Sequence, residues 1–465
     1  MTVESVDQGF DQEAGEGVSA TVIPESAHPI REQQLDREAL KVLYRLRDAG
    51  FKGYLVGGGV RDLYLGRIPK DFDISTDARP GQLRQLFRNS RTIGRRFRLV
   101  QVYFRGNKII EVSTLRSSSE FDIDGVEQVL ASNNTFGTLE EDAFRRDLTI
   151  NSLFYEIENH TIIDYIGGVQ DLDQGIIRMV GDPDRRFTRD PARMMRVIRH
   201  AARTGFTIEQ ETFAALRRHR DKLHLCPPSR IRDEILKDLQ SGACRAWAEL
   251  CITSTLWSAL FPLYEEYMQG DQGEKVQREL FHIFAALDRL HVRREDSEPV
   301  KIPESVLLAA LLLPWACHRF NLPETNVRGP GFHSLSRKIR DDVDQYFGTP
   351  FNVQRMAKES ITTLLINLST FHSARSRGDD PNWLKRKSYY HDCSRFYDLY
   401  RESQGVEAVK VERFVPAPPK ETEAVEVMSE IPASTGESKG RGRGGVNPAF
   451  SSKQGGVFGL RRHRG

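Results

Sequence analysis

The sequence predicts an α+β protein, with a small mixed β-sheet in the first part of the chain and helices alone after it. Two observations carry that reading. From Phe51 to about Gly181, short β-rich runs alternate with helical stretches. Beyond Pro191 the β signal disappears and apolar residues recur at helical spacing.

In chain order, residues 1–30 hold Glu4, Asp7, Asp11, Glu13, Glu16 and Glu25 with no Lys or Arg, a composition that predicts disorder. Residues 35–49 alternate apolar and charged positions as a helix does and stop at Gly50. Strands are predicted at 53–56, 72–75, 99–104, 109–114, 154–156 and 161–165, with a helix over 80–87. Residues 117–134 lack periodicity and read as a mobile loop. Helices follow at 193–203, 209–218 and 230–239, the last after the break Cys226-Pro227-Pro228-Ser229, with Ser229 as its cap. Further helices are predicted over 277–290, 303–313, 335–346, 353–371 and 383–402. From Pro416 the chain is rich in Pro, Glu and Gly and ends on Lys439, Arg441, Arg443, Lys453, Arg461, Arg462 and Arg464, so 406–465 is predicted to be a disordered tail with a basic end.

At 465 residues the chain has room for two to four domains and a substantial core. Its net charge of +2 says nothing by itself about a polyanionic partner. The five cysteines, at 226, 244, 251, 317 and 393, offer neither a disulfide framework nor metal-ligand spacing, which suits a reducing cytoplasm. The acidic N-terminus has no apolar core of a signal peptide. The apolar run at 306–313 is ended by Pro314 and His318, far short of a membrane span.

Chemistry concentrates first in Val56-Gly57-Gly58-Gly59-Val60-Arg61-Asp62, followed by Lys70-Asp71-Phe72-Asp73. A strand, a glycine turn and a helix start let backbone amides approach a phosphate without Cβ interference, and Arg61 stands where an anion is favoured. Asp71 and Asp73, at i and i+2, project from one face if both lie on a strand. A phosphate cradle beside a same-face carboxylate pair suits nucleotidyl transfer assisted by two Mg²⁺ ions. The lysine-serine ending of the P-loop is missing, and so is dinucleotide spacing.

Glu111, in the apolar strand Ile109-Ile110-Glu111-Val112, is either a sheet-edge charge or a third acid beside Asp71 and Asp73. Asp142-Ala143-Phe144-Arg145-Arg146-Asp147 sets two arginines between acids: a surface ion-pair patch, or a phosphate- and sugar-binding group in which Asp147 orients the arginines or accepts a ribose hydroxyl. Arg189-Asp190-Pro191 opens a helix, with Asp190 as the expected N-cap. Arg193, Arg196 and Arg199 form a basic row on it, while Met194, Val197, Ile198 and Ala201 face a core. Arg95, Arg96 and Arg98 add positive charge beside the sheet, suited to the backbone of an RNA 3′ end. His282, Asp288, His391 and Asp392 are too dispersed for a metal phosphohydrolase set.

With these segments in order, the chain resembles the class II tRNA nucleotidyltransferase and bacterial poly(A) polymerase family. The matches span about residues 50–245: 55–62, 70–73, 109–114, 142–151, Asp164-Tyr165-Ile166-Gly167-Gly168, 189–199 and 227–242. The resemblance implies a catalytic nucleotidyltransferase head over 31–182, a helical neck over 183–260 that binds nucleotide and RNA, and an RNA-binding helical body over 261–405. It implies Asp71 and Asp73 as Mg²⁺ ligands (two ions during catalysis), Glu111 as the third carboxylate, and Gly57, Gly58 and Arg61 at the triphosphate of ATP. Arg145, Arg146 and the catalytic Asp147 fall on the sugar-selecting segment, and Asp190, Arg193 and Arg196 on the one that reads the base. Arg189 departs from the family, which usually has Glu there.

The segment from Thr92 to Leu99 and the stretch Asn382-Trp383-Leu384-Lys385-Arg386-Lys387 resemble the polymerase branch. The activity so implied is addition of AMP from ATP to RNA 3′ ends in the cytoplasm. The substrates would be mRNA and decaying or structured RNAs, with RNA-decay proteins as partners and no membrane. The alternatives are CCA addition to tRNA and a non-catalytic RNA-binding protein.

Overall fold

Alternating burial along short strands builds the surface that carries the site. The structure, a computed structural model, describes residues 19–94, 98–117, 136–291, 302–325, 327–406 and 408. The loop predicted at 117–134, the tail beyond 408, Arg95 and Arg96 therefore lie outside the described residues, apart from Ser117.

The sheet contains β1 (Thr21–Ile23), β2 (Gly53–Val56), β3 (Asp73–Thr76), β4 (Ser90–Ile93), β5 (Leu99–Tyr103), β6 (Ile109–Thr114), β7 (Phe154–Glu156) and β8 (Thr161–Asp164), in the order β1-β8-β7-β2-β3-β6-β5-β4. β3 and β6 are parallel and the other neighbours antiparallel, so the sheet is mixed, as predicted. Register sorts its two faces. Leu55, Ile74, Val112 and Val100 stand in one row across β2, β3, β6 and β5, all buried. Helix α1 (Arg37–Asp48) packs there with Ala39, Val42, Leu43 and Leu46, its N-terminus capped by Asp36, which accepts from the amides of Glu38 and Ala39 at 3.0 Å each. One residue along, the row Phe154, Val56, Asp73, Glu111 and Gln101 projects from the opposite face. Buried apolar side chains on one face therefore fix which acids emerge on the other.

Around this lie α2 (Gly58–Tyr64), α3 (Pro80–Leu86), α4 (Leu139–Phe144) and α5 (Gly168–Gln174), with β9 (Ile176–Ile177). The helical part runs through α6 (Pro183–Arg189), α7 (Arg193–Thr204), β10 (Thr207–Ile208), α8 (Gln210–His219), α9 (Pro228–Leu239), α10 (Cys244–Thr253), α11 (Leu256–Leu260), α12 (Gly270–His291), α13 (Glu304–Phe320), α14 (Pro330–Val343), α15 (Arg355–Arg375) and α16 (Tyr390–Ser403). Trp247 of α10 is fully buried, with Trp257, Phe261 and Phe284 at ring-centroid distances of 5.8, 6.3 and 6.0 Å. Met194, Met195, Val197, Ile198 and Ala201 bury one side of α7, which packs on α10.

Five expectations change. Residues 21–30 are ordered: β1 pairs with β8, Ile30 is fully buried, and His28 Nε2 donates to the His160 carbonyl at 2.8 Å. All of these acids but Glu25 precede Val22 and Ile23, which supply the strand. Asp71 precedes β3 rather than lying on it. α13 continues through Pro314 to Phe320; every residue from Val306 to Ala316 is buried, and that packing outweighs the roughly 3 kcal/mol an interior proline costs. Ser229 lies inside α9, whose cap is Pro227. Some β structure persists beyond Pro191, where β10 pairs parallel with β9.

Candidate active site

On the exposed face of the sheet, Asp73 and Glu111 are direct cross-strand partners on β3 and β6. Gln101, next in the row, donates to Glu111 Oε1 at 2.8 Å. Asp71 approaches from the connection before β3, and both Asp71 and Asp73 line a cleft of about 480 Å³. Burial, then the charges of Glu111 and Asp71, push the Asp73 carboxyl up to about 6, with Arg146 acting in the opposite direction. Among the described residues, no three His, Cys, Asp or Glu side chains form a preformed metal cage. What fits a divalent cation is the donor set: hard carboxylate oxygens on neighbouring positions, crowded enough that like charges repel.

The glycine turn lies beside these acids. Gly57 has φ +69°, a left-handed conformation that disfavours any side chain, and it starts the turn from β2 into α2. A Cβ at Gly57 would stand 3.4 Å from Arg146 Nη1, and one at Gly58 would stand 3.4 Å from Arg61 Nη2. Both arginines are held by several partners. Arg61, 3 % exposed, gives Nε and Nη2 to Asp62 Oδ1 at 2.9 and 2.7 Å, and Nη1 to Asn151 Oδ1 at 2.7 Å and His200 Nδ1 at 3.0 Å. Arg146 donates Nε and Nη2 to Asp142 Oδ2 at 3.2 and 2.8 Å, Nη2 also to Ser75 Oγ at 3.3 Å, and Nη1 to the Asn151 carbonyl at 3.3 Å. Its guanidinium carbon stands 5.1 Å from the Phe154 ring centroid. A guanidinium has five N–H groups. In each arginine these bonds use four, and the fifth sits on the nitrogen beside the glycine. The turn is thus flanked by two immobilised cations with one donor apiece.

The opposite wall comes from the helices. Asp147 is buried, and Arg196 Nη2 of α7 pairs with it at 2.7 Å. Burial alone would raise its carboxyl, but Arg196, Arg193 and the Leu148 amide hold it well below the usual carboxylate range. Asp190 does not cap α7. It ends α6, pairs with Arg230 of α9 at 2.7 Å and lies 3.6 Å from Arg193. Arg199 turns away from the basic row and is buried against Glu234 and Asp238, at 2.6 and 3.0 Å.

The cleft brings together most of the residues that the sequence singled out: Gly57, Gly58, Arg61, Asp71, Asp73, Arg145, Arg146, Asp147, Asp190, Arg193 and Arg196 line it. Glu111 adjoins it through Asp73. Arg98 is exposed just before β5 and does not line the cleft. Sequence reasoning assigned no role to Lys70, Arg116, Asn151, His200 or Arg203, which do line it. Lys70 and Asn151 lie within recognised segments; His200 is a lone histidine whose partner Arg61 is 139 residues away. Among the described residues, eight cations and six carboxylates line the cleft, a balance that favours an anionic ligand.

Residues 53–178 match the family model described as "Poly A polymerase head domain", and residues 205–268 match "Probable RNA and SrmB- binding site of polymerase A". Over these stretches the chain is similar to poly(A) polymerases and to CCA-adding enzymes. It is similar to the Poly(A) polymerase I of Escherichia coli O6:H1, with 43% identity over 279 residues, 58% of this chain and 60% of that protein. The chain therefore spans about 60% of the length of this curated relative. It is also similar to the CCA-adding enzyme of Lactobacillus helveticus, with 40% identity over 201 residues, 43% of this chain and 49% of that protein. In fold, the chain is similar to the Bacillus stearothermophilus CCA-adding enzyme solved in complex with CTP, with a TM-score of 0.56 at 23% identity, over 81% of this chain and 80% of that one. No helix among the described residues is long and apolar enough to cross a membrane.

Proposed function

We propose that this chain is a template-independent RNA nucleotidyltransferase of the poly(A) polymerase family that adds AMP from ATP to RNA 3′ ends and releases pyrophosphate. The observation that carries the reading is the facing pair of devices in one cleft: the Asp73–Glu111 pair with Asp71 beside it, and the Gly57–Gly58 turn with a braced guanidinium N–H at each glycine. The first suits a reacting α-phosphate and an attacking hydroxyl, the second a departing pyrophosphate.

In this reading the 3′ oxygen of the RNA forms a bond to the α-phosphorus as the bond from that phosphorus to the β-bridging oxygen breaks. The hydroxyl proton passes to a carboxylate of the Asp73–Glu111 pair, and the negative charge gathering on the pyrophosphate meets Arg61 and Arg146. Asp71 and Asp73 would hold Mg²⁺, two ions during catalysis, which would lower the charge of the reacting phosphates. Asp147, fixed by Arg196, faces the ribose; Asp190, Arg193 and Arg196 face the base. Residues 31–182 act as the catalytic head, 183–260 as a neck that binds nucleotide and RNA, and 261–405 as a body that binds RNA. Arg95, Arg96 and Arg98 contact RNA phosphates. RNA-decay proteins acting on the tailed product are the expected protein partners. A cytoplasmic location is supported by five cysteines that are all free thiols.

Polyadenylation is favoured over CCA addition by the longer match to the poly(A) polymerase, 279 residues against 201. Incubating the purified chain with an unrelated RNA and each single NTP tests it. Long tails with ATP alone are expected; a product that stops after two cytidylates and one adenylate on a tRNA lacking its end would refute it.

A further inference from the structure

We infer that His200 of α7 is a positioning residue for ATP: its Nδ1 lone pair locks Arg61 so that the last guanidinium N–H is presented at the Gly58 turn. The inference rests on the nucleotide reading of the cleft and assigns within it a residue that touches no phosphate itself.

A guanidinium can only donate, so in the 3.0 Å contact with Arg61 Nη1 the imidazole must accept. Nδ1 therefore carries no proton, and the ring is neutral with its hydrogen on Nε2, so the 3.4 Å approach of Asn151 Nδ2 to Nε2 is a contact between two donors and not a hydrogen bond. Burial, followed by the Arg61 charge, holds the imidazole well below its usual value, which agrees with that state. Asp62 takes two N–H groups of Arg61 and Asn151 a third. His200 takes the fourth, and the fifth remains on Nη2, the atom 3.4 Å from the place of a Gly58 Cβ. Without an acceptor at His200, Nη1 keeps only Asn151, and the guanidinium plane can turn away from the glycine.

His200 also comes from the helical part, whereas Asp62, Asn151 and Gly58 belong to the head. With the 2.7 Å Asp147–Arg196 pair and the 3.2 Å bond from Arg67 Nη1 to the Arg203 carbonyl, it links α7 to the head. The placement of α7 thereby sets the donor geometry of the phosphate turn.

The test compares His200→Phe, His200→Asn and His200→Gln in the full chain, reading KM for ATP, kcat at saturating RNA, and thermal midpoint. Asn offers an oxygen near the place of Nδ1; Gln offers its polar atoms near Nε2; Phe offers none. Loss of one hydrogen bond to a charged group predicts KM for ATP raised about tenfold in Phe and Gln. Because the same donor meets the charge gathering on the departing pyrophosphate, kcat should fall in Phe and Gln as well, and recover with KM in Asn. Asn should restore KM to within threefold of wild type. Equal KM values for Asn and Gln would overturn the inference, and so would a Phe variant within twofold of wild type. If Phe fails to fold, the Asn and Gln pair still decides. A wild-type chain that incorporates no nucleotide would instead refute the functional reading, and the two failures are thereby distinguished.

Discussion

Replacing Arg146 by Lys keeps the charge beside Asp73 and removes the geometry. The guanidinium ties together α4 through Asp142, β3 through Ser75 and the segment after Asp147 through the Asn151 carbonyl, at 2.8 to 3.3 Å, while lying over Phe154. An ammonium on a flexible stem can keep Asp142 but cannot also reach Ser75 and Asn151. Losing two hydrogen bonds from a charged donor, both at 3.3 Å, costs about 3 kcal/mol of stability. The N–H beside Gly57 is lost with them; removing one donor aimed at developing charge costs about 3 kcal/mol in the transition state, or roughly a hundredfold in kcat. Single-turnover incorporation at saturating ATP and RNA, with a thermal melt of the same sample, measures both. A Lys variant within threefold of wild type in kcat would show that charge alone suffices and that the fixed donor has no catalytic part.

Asp71→Asn and Asp73→Asn should each reduce AMP incorporation by at least a thousandfold while leaving RNA binding within threefold, as read by gel shift beside extension assays. Asp190→Ala breaks its pairs with Arg230 and Arg193 and should reduce the preference for ATP over CTP more than total turnover, measured as the ratio of kcat/KM values. Asp238 is fully buried, and burial pushes its carboxyl up to about 7, with Arg199 acting against that. A folded value raised above the unfolded one means that the folded state holds more protons between about pH 4 and 7, so this group's contribution falls as pH rises through that window. Asp238→Asn should therefore gain on wild type between pH 5 and 8, on the order of 2 kcal/mol, in denaturant melts across that range. A constant difference would count against the assignment.

The parts legible in the sequence are those fixed by neighbours in sequence. The strand, glycine turn and helix at 53–64 follow from local steric rules, and the side-chain alternation of β6 is enough to place Glu111 on the face opposite Ile110 and Val112. Asp71 shows the limit: the i, i+2 spacing puts it on a strand, yet β3 begins only at Asp73, and Asp71 reaches the cleft from the connection. Asp190 sits where an N-cap belongs but is drawn off by Arg230, 40 residues on. Arg199 follows the helical row of Arg193 and Arg196 and nevertheless points inward, because Glu234 and Asp238 of α9 compensate its charge in the core. The bracing of Arg61 and Arg146 depends on partners up to 139 and 71 residues away, and no local pattern records that.

The central claim is tested most directly by giving the purified chain two acceptors, an arbitrary single-stranded RNA and a tRNA lacking its 3′-terminal CCA, with Mg²⁺ and one nucleotide at a time. The account predicts that ATP alone yields long homopolymeric tails on both acceptors and that CTP alone yields little product on either. Efficient addition of two cytidylates to the tRNA, followed by one adenylate and arrest, would contradict it.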